Sequence, residues 1–143
     1  MKKLLLVALM CLVPSLASAG ERVMFDFDKA ELSDAEKAKI SVTATQVKMT
    51  GAKVIIIGNT DKVGTRLYNL DLGMRRAKAV VDALLAEGVP EDQLSISLSY
   101  GEEKPFAPKD GLIEHRKANR RVDLVLVEAK VMTVSKPVYV PTY

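Results

Sequence analysis

KVIIIGNTDKVGTRLYNLDLGMRRA, residues 53–77, passes from an apolar strand through a short polar loop into a helix. Residues 54–57 are four β-branched apolar side chains in a row, the composition of a strand covered on both faces. Gly58, Asn59, Thr60 and Asp61 stop it with residues that bond their own backbone and tolerate tight turns. Thr65 is placed to cap the helix that follows, and Asn69, Gly73 and Arg76 fall on one face of that helix at i, i+4 and i+7. A carboxylate, Asp61, and a guanidinium, Arg76, are thereby brought to one strand–loop–helix junction.

Such a pair suits a ligand that carries both an ammonium and a carboxylate. Asp61 accepts from the ammonium, and Arg76 forks onto the carboxylate. Gly73 fits a close approach, because glycine inside a helix costs about 1 kcal/mol against alanine. A plainer reading stands beside it at even weight: Asp61 makes an Asx-turn, Arg76 a partly exposed ion pair, and Gly73 packs against the sheet.

GNTD at residues 58–61, YNLDLGMRRA at 68–77, SYGEEKP at 99–105 and NRRVDLVL at 119–126 together resemble the OmpA C-terminal-like domain. Asn59, Gly73 and SYGEEKP give the pattern the flavour of the peptidoglycan-associated lipoprotein type. The resemblance runs over residues 23–127 and implies non-covalent binding of peptidoglycan through the diaminopimelate of the stem peptide. It puts the family aspartate on Asp61 and the family arginine on Arg76, and it sets the FDF-type segment, with Asp28, beside the pocket. An arginine of the NRR run, Arg120 or Arg121, helps shape that pocket in the family, and Arg120 joins the candidate set. That set is Asp61 and Arg76 with Asn59, Thr60, Asn69, Gly73, Asp28 and Arg120.

The chain opens with a basic pair, Lys2 and Lys3, an apolar run at 4–13 and Ala17-Ser18-Ala19, the pattern of a leader cleaved after residue 19. Export to the periplasm follows, with possible outer-membrane association left to a complex. The apolar run is short for a span, and none of spanning length comes later. Cys11, the one cysteine, lies inside the apolar run behind Leu9-Met10, without the small preceding residue that lipid attachment needs. This departs from the lipoprotein type. Without the leader, 19 basic side chains face 18 acidic ones, about +1, which argues against nucleic acid as a partner.

Elsewhere, RVMFDFD at 22–28 alternates as a half-buried strand with Val23, Phe25 and Phe27 inward. For Asp26 and Asp28 the favoured reading is a solvated or turn-capping carboxylate, ahead of a place near the ligand. Ser33-Asp34-Ala35-Glu36 is a capping box opening a helix to about residue 49, with an apolar face of Ala35, Ala38 and Val42, joined by Ile40, Ala44 and Val47. The second helix spans about 65–87, with Leu70, Met74, Ala77, Val81, Leu84 and Leu85 as its core stripe, and Gly88 and Pro90 stop it. A third strand follows at 95–99, then a long loop in which Glu102 and Glu103 either pair with Arg76 or Arg120 or form a solvated rim. A short helix at 112–119, with His115 exposed, precedes the last strand at 122–127.

Three segments result: a leader at 1–19, an α+β domain at 20–129 and an extended tail at 130–143 whose Pro137 and Pro141 exclude a helix. The domain is expected in the order β-α-β-α-β-(α)-β, with a mixed sheet of about four strands and helices packed on one face. No cofactor or metal is expected, since one histidine without cysteine makes no metal site. No enzyme is expected either, for want of a nucleophile and base. The alternative to peptidoglycan binding is an envelope protein-interaction module, docking a partner through the cleft loop or the tail.

Overall fold

The computed structural model describes residues 21–97, 101, 105, 107 and 112–128. They form β1 (Glu21–Met24), α1 (Asp34–Thr50), β2 (Lys53–Gly58), α2 (Arg66–Ala86), a 3-10 turn (Glu91–Gln93), β3 (Leu94–Ile96), α3 (Ile113–Asn119) and β4 (Arg121–Val127). The sheet is mixed, in the order β1-β4-β2-β3, with β4 antiparallel to both neighbours and β2 parallel to β3. A parallel pair needs a long crossover, and α2 supplies it. The α+β class and the order of elements agree with the expectation from sequence.

One face of the sheet carries the core. Val23, Val54, Ile56, Val122 and Leu124 pack under Ile40, Ala44 and Val47 of α1 and Ala77, Val80 and Leu84 of α2. Burying each of the larger side chains is worth about 1.5–3 kcal/mol relative to exposure. The helix ends are set by local chemistry. Ser33 Oγ accepts from the Glu36 N–H, and Thr65 Oγ1 accepts from the Tyr68 N–H. At the far end of α2, Val89 N–H donates to the Leu84 carbonyl and Gly88 N–H to that of Leu85. Gly88 turns left-handed at φ 84°, and Val89 drops into the core.

Several expectations are corrected. β1 ends at Met24 because residues 27–28 turn, so Phe27 is exposed while Val23 and Phe25 are buried. The buried face of α1 is Glu36, Ile40, Thr43, Ala44 and Val47, while Ala35, Ala38 and Val42 face solvent. Only half the capping box forms, since the Glu36 carboxylate turns to the edge strand, accepting from Met24 N–H and from Lys39 Nζ. On α2 the core positions are Leu72, Ala77, Val80 and Leu84, and Met74 and Leu85 are exposed. β2 is covered on one face only: Ile55 and Ile57 are half-buried, beside the exposed Val125. β3 is short, with Ile96 exposed, and His115 is half-buried. The leader with Cys11, the residues Glu102 and Glu103, the end of the third strand and the tail lie outside the described residues.

Candidate functional site

The turn after β1, the β2–α2 loop, α2 and the residue before β4 enclose a cleft of about 170 Å³. Asp28, Thr60, Asp61, Arg76 and Arg120 line it, together with Phe27 and Tyr68. A larger cavity of about 520 Å³ lies beyond residues 25–29, edged by Lys29, Glu36 and Lys117, and Arg120 borders both. The smaller cleft is the one that holds the paired chemistry read from the sequence.

Asp61 is held by its own loop. Val63 N–H donates to Asp61 Oδ1 at 3.0 Å, the Asx-turn of the plainer reading, which leaves Oδ2 directed at cations. Arg120 Nη1 donates to Oδ2 at 3.3 Å, and Arg116 Nε stands 3.6 Å from the same atom. Asp61 therefore pairs with arginines from the far end of the domain and makes no ion pair with Arg76. Arg120 is fixed in turn by donating Nε–H to the Phe25 carbonyl. Arg121, the next residue, points elsewhere and pairs with Asp123 at 2.9 Å.

Arg76 has no solvent exposure. Its Nε, Nη1 and Nη2 donate to the carbonyls of Lys29, Asn59 and Asp26 at 2.8, 3.0 and 3.0 Å, and its guanidinium lies over the Phe25 ring. Burial pushes the guanidinium down to about 10, helped by the charge of Arg120 and opposed by Asp61 and Asp28. Three of the five N–H donors face carbonyls. Among the described residues no carboxylate lies within ion-pair distance of this cation.

The other candidates sort by geometry. Asp28 sits at the rim with a left-handed backbone, φ 57°, and accepts a hydrogen bond from the Tyr68 hydroxyl. Thr60 is buried, its N–H donating to the Gly101 carbonyl at 2.7 Å. Asn59 gives only its carbonyl to the site, as its side chain turns away and donates to Asp123 Oδ2 at 3.0 Å. Asn69 and Gly73 are buried on α2 and do not line the cleft. Sequence reasoning missed Phe27, Tyr68 and Arg116. Phe27 was hidden by an alternation that runs on through the turn, Tyr68 sits in the first turn after the Thr65 cap, and Arg116 is one charge among many on α3.

The model of the OmpA family matches residues 24–120. The chain belongs to the OmpA family. This OmpA-family chain is 45% identical over 101 residues to the peptidoglycan-associated lipoprotein of Pseudomonas putida, an alignment covering 70% of this chain and 59% of that protein. It spans about six-tenths of the length of the curated relatives it matches. Among solved structures, the peptidoglycan-associated lipoprotein from Burkholderia pseudomallei superposes with a TM-score of 0.69 at 40% identity, covering 73% of this chain and 88% of that one. The C-terminal domain of Helicobacter pylori MotB gives 0.70 at 26% identity, over 77% and 86%. Among the described residues no helix is long and apolar enough to cross a membrane, and no group of three His, Cys, Asp or Glu is placed to hold a metal.

Proposed function

We propose that this chain binds peptidoglycan non-covalently at the cell envelope, acting as a binding module rather than an enzyme. In this reading the cleft takes the zwitterionic head of diaminopimelate. Asp61 receives the ammonium and Arg76 the carboxylate, and the protein works in the periplasm, positioning an envelope component at the wall. The observation that carries the reading is Arg76. A charge with no exposure and no carboxylate partner among the described residues is costly. Arg76 borders the cleft, and its two N–H groups not taken by carbonyls suit an anion that arrives with the ligand. The names of the relatives, peptidoglycan-associated lipoproteins, support peptidoglycan as the ligand.

Co-sedimentation with purified sacculi tests it. The protein pellets, and Asp61→Asn and Arg76→Lys, checked for folding by thermal melts, pellet in clearly smaller amount. Pelleting unchanged by either substitution removes the cleft from the account. If the protein never pellets, the second reading gains, a domain that docks an envelope protein. The likeness to the C-terminal domain of Helicobacter pylori MotB fits that alternative.

A further inference from the structure

Three arginines surround Asp61 and the cleft, and they are not equivalent. Arg76 is tied to three carbonyls and Arg120 to one, in addition to its hydrogen bond to Asp61. Among the described residues Arg116 has neither kind of anchor. Its Nε is buried without a hydrogen-bond partner, 3.6 Å from Asp61 Oδ2, and its guanidinium lies 5.6 Å from the centre of the exposed Phe27 ring. Its side chain is 31% exposed, against 10% for Arg120.

An ammonium seeking Asp61 Oδ2 thus meets an oxygen already facing two guanidiniums. The Asp61 Oδ1 atom is committed to the Val63 N–H, so it offers little room for a third cation. One arginine must yield, and the weakly held one is Arg116. We propose that Arg116 is a displaceable counter-ion: in the free protein it occupies the place at Asp61 that the ligand's ammonium takes, and binding exchanges one cation for the other. This rests on the diaminopimelate reading above. Arg116 opposes binding of an amine-bearing ligand and sets how strongly the cleft discriminates a free amine from a capped one.

Calorimetric titration of a soluble alanyl-glutamyl-diaminopimelate tripeptide, and of the same peptide with its amines acetylated, into the wild-type protein and Arg116→Gln tests the exchange. With free amines the substitution tightens binding by about two- to fivefold, the worth of one partly exposed ion pair. With acetylated amines it gives no gain. Weaker binding of the free-amine peptide by Arg116→Gln, or equal gains for both peptides, overturns the proposal. No binding of either peptide by the wild type fails the diaminopimelate reading itself, which separates that failure from this one.

Discussion

A methyl group built on Gly58 of β2 falls 1.8 Å from the carbonyl oxygen of Gly73 on α2. The missing side chain of Gly58 lets the strand and helix backbones touch at the level where the Asp61 loop leaves the sheet. The contact is made by the Gly73 backbone, so the position that must lack a side chain is Gly58. Gly58→Ala has only backbone to push against, so the helix must move. It should destabilise the protein by about 3 kcal/mol or more, read as a shift in the denaturation midpoint, and weaken sacculus binding through the displaced loop.

Arg76→Lys separates the structural from the ligand role of this residue. An ammonium cannot reach the carbonyls of Asp26, Lys29 and Asn59 together. We expect a loss of about 1–3 kcal/mol in unfolding free energy and incomplete recovery of sacculus binding even where the protein is fully folded. Full recovery would place the carboxylate-holding group elsewhere.

Sacculi whose stem peptide carries lysine in place of diaminopimelate keep the ammonium and lack the neighbouring carboxylate. They should retain less protein than diaminopimelate sacculi by about tenfold in apparent affinity, the value of one charge-assisted hydrogen bond. Equal retention would show that Arg76 meets no ligand anion.

The lowered proton affinity of Arg76 gives a pH dependence. Its folded value, about 10, lies below that of a free guanidinium, so above about pH 10 the unfolded chain binds more protons and this group's stability contribution rises with pH. A ligand carboxylate favours the charged form, so the sign for binding is opposite. Affinity for the acetylated tripeptide, which has no titrating amine, should be flat up to about pH 9 and fall as pH climbs through about 10. Calorimetry across pH 7–11 reads it, and a flat profile would contradict it.

What the sequence made legible was local. The Thr65 cap, the Asx-turn at Asp61 and the stop at Gly88 are decided within a few residues, and each is found where expected. The buried face of α1 was legible in part: Ile40, Ala44 and Val47 are buried as expected, whereas Ala35, Ala38 and Val42 face solvent, Thr43 is buried and Glu36 is drawn in by the Met24 N–H. Partners of Asp61 were beyond reach, since Arg116 and Arg120 come from the opposite end of the domain. The choice within the NRR run depended on strand register. Arg121 pairs across from Met24 and shares a carboxylate, Asp123, with Asn59, which leaves Arg120 to the cleft.

The most direct test is a double-mutant cycle on the diaminopimelate tripeptide, with wild type, Asp61→Asn, Arg76→Lys and the double variant titrated in a calorimeter. If both charges hold one zwitterionic centre, each substitution costs about 2 kcal/mol or more of binding free energy, and the double variant loses less than the sum by at least about 0.5 kcal/mol. Strict additivity, or undiminished binding by either single variant, would contradict a shared site.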